Sequence, residues 1–178
     1  EEALSRYPGD SRATLARFLL ADAYRRSGLA LRGEGSQATF DAELEYIRTE
    51  SSARLAKARA LYRQVVEGVS NRAGEELTAA ERMYLRHAHL YEADCFFDTQ
   101  DYTRALKLYE EAAGAYKDQP GGLAAYVQII NCHVFLGQAD EARAALARAL
   151  VLVESIPEVA FAGTISPQTR GDWKEYLA

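Results

Sequence analysis

The chain has 178 residues with 21 Lys plus Arg against 26 Asp plus Glu, a net charge of −5. That length suits one domain, and the acidic balance gives no overall steering toward nucleic acid or an anionic membrane. A 48% apolar share is too high for a disordered chain, no apolar run reaches the roughly 18 residues of a membrane span, and two cysteines are too few for a disulfide framework. The 32 Ala and 20 Leu against 8 Val and 5 Ile hold helices at low entropic cost, so the fold class reads as all-α.

In chain order, a start at Glu1-Glu2 without Met or an apolar leader reads as a processed or excised chain. A long helix is expected from Asp10 to about Arg32, and Gly33-Glu34-Gly35-Ser36 reads as a turn. Phe40, Leu44, Ile47, Leu55, Ala58, Leu61, Val65 and Val69 then recur at mostly three or four residues. They predict one helix over Thr39–Gly68, about 45 Å long, whose polar patch Arg48-Thr49-Glu50-Ser51-Ser52 marks a bend or a solvated segment. Thr78 with Glu81 is a capping box opening a helix over Thr78–Asp98, followed by one over Asp101–Lys117. Gly121-Gly122 and Gly137 sit where helices should stop or turn, around helices over Gly122–Leu136 and Ala139–Glu154. Phe161-Ala162-Gly163-Thr164-Ile165 reads as a connector. Ser166-Pro167 reads as the entry, with Ser as cap, to a short helix over Gln168–Leu177 that carries Trp173 and Leu177 on one face.

Aligning the chain on itself with a shift of 37 residues pairs Cys95 with Cys132, Ala105 with Ala142, Ala112 with Ala149 and Pro120 with Pro157. One copy reads Ala93, Phe96, Gln100-Asp101-Tyr102, Ala105, Tyr109, Ala112 and Pro120; the next reads Gly137, Ala142, Leu146, Ala149 and Pro157. Leu20-Ala21, Tyr24 and Gly28 with Ala58, Tyr62 and Val65 look like an earlier pair, and Ala3 and Pro8 like the tail of one before it. Over most of residues 1–157 the chain resembles the tetratricopeptide repeat family. It departs from that pattern at Glu92, where the family prefers Leu, at Ile130, where it prefers a small residue, at Gln100, where it prefers Gly, and in prolines that fall late.

The resemblance implies a right-handed α-solenoid of about three antiparallel helix pairs with an enlarged first pair and a C-terminal capping helix. In that frame residues 1–178 form a single repeat domain: a tail at 1–9, the enlarged pair at 10–69, repeats at 78–120 and 121–157, and a connector and cap at 158–178. It reads as a fragment of a longer array. Small residues such as Ala21, Ala93, Ala105 and Ala142 let helices approach to about 8–10 Å, while Tyr24, Tyr62, Phe96 and Tyr109 fill the gaps beside them.

Chemistry-bearing patterns are sparse. His87 and His89 point about 200° apart on a helix, so they cannot share a metal; His87, Tyr91, Asp94 and Asp98 share a stripe that reads as a solvated groove face rather than a cation site. Cys95 and Cys132 occupy equivalent repeat positions and read as buried thiols. Glu75-Glu76 and Glu110-Glu111 read as solvated helix charges, Asp172 and Trp173 as residues that cap and close the last helix. There is no Ser/His/Asp order, phosphate loop or spaced ligand set, so neither catalysis nor a cofactor or metal is expected.

The resemblance also implies a concave groove lined by the first helices. Its residues would be Leu15, Phe18, Asp22, Arg25 and Arg26; then His87, Leu90, Asp94, Phe97 and Asp98; then Ala124, Val127, Asn131, Val134 and Phe135. Asp22, Asp94 and Asn131 would form a polar ladder, with Phe97, Val134 and Phe135 as apolar contacts. The chain would then be a non-catalytic scaffold for a protein or peptide with basic and apolar groups, Arg25 and Arg26 taking an acidic group at one end. The rival is a structural segment that packs on its parent chain or on copies of itself; a lesser one is a regulatory domain of a larger enzyme. Cytoplasm and bacterial cell envelope both stay open as compartments.

Overall fold

The computed structural model describes residues 4, 6, 12–35, 40–72, 76–162 and 169–178. Among them are eight helices and no strand: α1 (Ala13–Glu34), α2 (Asp41–Ser70), α3 (Ala79–Asp98), α4 (Tyr102–Ala115), α5 (Pro120–Phe135), α6 (Ala139–Ser155), α7 (Glu158–Phe161) and α8 (Arg170–Leu177). The fold is all-α, of helical-repeat type, in which helices pack against their neighbours in the chain. Two compact units are formed, Glu1–Gln100 with α1 to α3 and Asp101–Ala178 with α4 to α8.

In the first unit α1 runs against α2, and α3 packs on both. Phe18, Ala21, Leu55, Ala58, Tyr62, Val65, Ala88 and Cys95 form its core, and Ala21 and Ala58 are wholly buried where the helices come closest. The polar patch in α2, expected as a bend or a solvated segment, lies within one continuous helix, with Arg48, Thr49 and Ser52 exposed. Ser51 faces inward, and its hydroxyl donates to the Arg48 carbonyl at 3.2 Å, while Arg54 donates to Glu50 at 2.9 Å. The expected turn at Gly33-Glu34 is likewise helical, with α1 continuing to Glu34. Ala3, Pro8, Asp10, Ser36, Thr39 and Glu75, to which the sequence assigned a repeat tail, helix starts, a turn and a charge pair, lie outside the described residues.

α3 opens as expected. Thr78 Oγ1 accepts from the Glu81 N–H at 3.2 Å, and Glu81 Oε2 accepts from the Thr78 N–H at 2.9 Å. Arg72 also pairs with Glu81. That guanidinium and the Thr78 donors hold the Glu81 carboxyl down, from an ordinary 4.5 to about 2.

In the second unit α5 packs between α4 and α6. Ala105, Tyr109, Leu123 and Ala149 are wholly buried. Gly121 and Gly122, expected where a helix stops or turns, lie in the first turn of α5, with Pro120 at its start. A Cβ on Gly122 would stand 2.5 Å from the Tyr116 carbonyl oxygen, so the tight passage from α4 to α5 needs glycine there. Gly137, at φ 73°, makes the turn into α6. The last helix covers the end of this unit: Trp173 and Leu177 join Leu123, Ala149, Val153, Ile156 and Phe161 in one core cluster. Its cap is Thr169, which exchanges hydrogen bonds with Asp172 at 3.2 and 2.7 Å. Gly163, Thr164, Ile165, Ser166, Pro167 and Gln168, expected as connector and helix entry, lie outside the described residues. Arg170 fastens α8 by donating to the Ile156 carbonyl at 2.5 Å, and Lys174 pairs with Glu154 at 2.6 Å.

Two measurements check these local accounts. Gly122→Ala should lower stability by about 1–3 kcal/mol, because backbone must move, whereas Gly114→Ala, with open space around it in α4, should raise it by about 0.5–1 kcal/mol in denaturant unfolding. The depressed Glu81 carboxyl contributes stability that is full above the unfolded value near 4.5 and lost as pH falls through about 2. The melting-temperature gap between wild type and Glu81→Gln should therefore be constant near neutrality and close across that acid window.

Candidate functional site

On the face of α1 and α3 expected as a groove, several side chains bond to one another and Phe18 is buried. Phe18 is a core residue, 8% exposed, with ring centroids 5.9 Å from Tyr62 and 4.9 Å from Tyr84. His87 stacks on Tyr91 at 5.4 Å. Burial first, and then Arg86, lowers its pKa against a smaller opposing effect of Asp22, which favours the neutral ring.

The arginines of α1 meet the acids. Arg25 donates to Asp94 Oδ2 at 2.8 Å, lies 4.0 Å from Asp98 Oδ2, and sits 4.7 Å over the Tyr91 ring. Burial opposes the charge on Arg25, but Asp94 and then Asp98 outweigh it and raise its pKa. At Asp98 burial outweighs Arg25 and moves the carboxyl up. Arg26 pairs with Asp22 at 2.7 Å, one helical turn back. The His87–Tyr91–Asp94–Asp98 stripe thus meets a guanidinium of its own chain, and no group of three or more metal-ligating side chains occurs among the described residues. Leu90 and Phe97 are half-buried, and Leu15 is exposed.

In the second unit, Ala124, Val127, Asn131 and Val134 follow one stripe of α5. Its first half is covered: Ala124 and Val127 pack against the cluster that contains Trp173 and Leu177. Its second half is open. Val134 and Phe135 are 60% and 59% exposed, with Phe135 lying flat on Tyr102 at 4.9 Å. Asn131 donates to Gln128 Oε1 at 3.2 Å. Of the expected ladder, Asp22 bonds Arg26 and Asp94 bonds Arg25 in the first unit, and Asn131 bonds Gln128 in the second.

Sequence reasoning missed four features. The Asp22–Arg26 pair had a signal, since residues four apart on a helix are neighbours. Arg25 with Asp94 and Tyr102 with Phe135 had none, because nothing local ties side chains on different helices. The fourth is Glu92, noted only as a departure from the family pattern. It is 5% exposed and accepts from Arg63 of α2 at 2.7 Å (Nη2) and 2.9 Å (Nε). Cys95 and Cys132 are buried free thiols, and burial pushes the Cys95 thiol up to about 12.

Residues 96–151, from the end of α3 into α6, match the tetratricopeptide repeat family model. No curated protein and no solved structure matches the chain. The family match, over about a third of the chain, and the all-helical fold support a tetratricopeptide-type protein. Repeats of that family are in general protein- or peptide-binding modules and typically non-catalytic. Among the described residues, no helix is long and apolar enough to cross a membrane.

The Arg63–Glu92 pair can be probed by stability alone. Glu92→Leu should be near neutral or stabilising, since Leu replaces a desolvated charge, whereas Arg63→Ala should cost about 1–3 kcal/mol by leaving that carboxylate uncompensated; half-exposure of Arg63 keeps this below the fully buried range. Equal losses in both variants, read from urea midpoints, would contradict this.

Proposed function

We propose that the chain is a non-catalytic scaffold that binds a protein or peptide, and that the open half of the α5 face, with Asn131, Val134 and Phe135, is its contact. The observation that carries the reading is the pair Val134 and Phe135, more than half exposed side by side within the segment that matches the family. Adjacent exposed apolar side chains on a rigid helix favour partner burial. Of the expected partner chemistry, the apolar part is kept. The basic part is not, because Asp22, Asp94 and Asp98 already face Arg26 and Arg25 of the same chain. For the same reason Arg25 and Arg26 are not offered as a receptor for an acidic end group. Phe18, His87, Leu90 and Phe97 belong to the first unit and are not offered as part of this contact, and Val127 lies one turn before Asn131 on α5.

One observation favours self-association as a second reading. Val151 on α6, 71% exposed, lines an open cleft with Tyr126, Arg148 and Leu152, and Val159 on α7 is 80% exposed.

Selection of binding peptides from a random library, followed by titration, tests the first reading. Val134→Ser with Phe135→Ser should weaken the selected peptides by about tenfold or more with the fold unchanged, while Val151→Ser should not. Unchanged affinity in the double variant would overturn it. A sedimentation mass that rises with concentration and is abolished by Val151→Ser would support self-association instead.

A further inference from the structure

The enlarged first pair leaves a feature that peptide binding does not use. Where the end of α1, the first half of α2 and the residues after α3 meet, a cavity of about 490 Å³ opens. That volume lies in the range of small-ligand sites. Arg32, Arg48, Ser52, Thr99 and Gln100 line it, and none of its lining residues is acidic. Glu50 pairs with Arg54 at 2.9 Å, and Asp98 lies 4.0 Å from Arg25 and feels the charge of Arg32 as a smaller effect. Arg32 and Arg48 are in no ion pair among the described residues, in a chain with a net charge of −5.

A second observation points the same way. Gln100 holds φ at 65°, the only non-glycine residue with a positive φ among the described residues. A side chain there strains the backbone that Gly would occupy freely, and the repeat pattern itself favours Gly at this position. The retained side chain lines the cavity and brings an amide to it. Strain held at one position and a polar group delivered by it are linked when that group has a use.

We infer that this cavity is a binding site for a small phosphate monoester. Two guanidinium forks supply two positive charges, which match the charge of about −1.5 to −2 on a monoester at neutral pH, whereas a single carboxylate would satisfy one of them. The Arg forks suit tetrahedral oxyanions, with the Ser52 hydroxyl and the Gln100 amide as further donors. The Ser51 and Thr99 hydroxyls already donate to backbone carbonyls and so hold the wall rather than the ligand. Leu44 and Ile47 offer an apolar side for the organic part. The site lies wholly within the first unit and uses no residue of α5, so it stands or falls independently of the peptide-binding reading.

The test is a titration of the whole chain at low salt, followed by amide NMR. The probes are inorganic phosphate, glycerol 3-phosphate and a short peptide bearing phosphoserine, with sodium chloride matched in ionic strength as control. Saturable shifts centred on Arg32, Arg48, Ser52 and Gln100 are expected, with a monoester binding more tightly than inorganic phosphate. Tighter binding of the peptide would name a phosphorylated chain as the source, and tighter binding of glycerol 3-phosphate a free small molecule. Arg32→Gln with Arg48→Gln, both on exposed side chains, should weaken binding by about tenfold or more without changing the melting temperature materially. Gln100→Gly should raise the melting temperature by about 2–4 °C and yet weaken the phosphate, a combination that a purely structural role would not give. Shifts matched by chloride, no saturation in the millimolar range, or unchanged affinity in the double arginine variant would overturn the inference.

Discussion

The first unit depends on one buried side chain. Tyr62 of α2 is fully enclosed, its ring edge-on to Phe18 of α1 at 5.9 Å and to Tyr91 of α3 at 5.7 Å. It therefore fixes how three helices approach one another, since an aromatic of that size in a close-packed interior leaves little choice of spacing. Burial pushes the Tyr62 hydroxyl strongly toward its neutral form, with Asp22 adding to that effect and Arg25 opposing it. Outside Tyr91 comes Arg25, whose guanidinium covers the ring and reaches Asp94. Core, aromatic layer and ion pair are thus stacked in that order from the centre outward.

This layering decides which faces are free. On α1 and α3, Arg25 joins the two helices through Asp94 beside the aromatic layer, while Asp22 and Arg26 pair within α1. On α5 no such closure exists beyond Asn131, and Val134 and Phe135 are left facing water. The same helix is covered at its other end, where the cluster with Trp173 and Leu177 takes in Ala124 and Val127. A helical repeat can present one stripe as core, as cover and as open surface within a few turns, depending on what the neighbouring element brings.

Much of the fold was legible because it is written in local rules. The Thr78–Glu81 box, the periodicity of α2 and the small residues Ala21, Ala93 and Ala105 each act through neighbours three or four residues away or through a helix contact that the repeat imposes. The same holds for Trp173 and Leu177 as a closing face. Some local signals had a further use. Gly122 sits where a stop or turn is expected at the opening of a helix, and it is needed there because the Tyr116 carbonyl passes so close. The polar run Arg48–Ser52 reads as a bend or a solvated segment; Arg48, Thr49 and Ser52 are exposed, while Ser51 satisfies its hydroxyl on the backbone of its own helix. The groove frame gives positions on one helix but not what the facing helix holds. Arg25 is 69 residues from Asp94, and no periodicity connects them.

The central claim is that the acids of α3 hold the first unit together rather than receive a partner. A double-mutant cycle over Arg25→Met and Asp94→Leu, read by chemical unfolding, tests it most directly. The account expects each single variant to be destabilised and the pair to recover, with a coupling of about 1–3 kcal/mol. Effects that add to within about 0.3 kcal/mol would show that the two side chains do not support each other, and would return Asp94 to the surface available for binding.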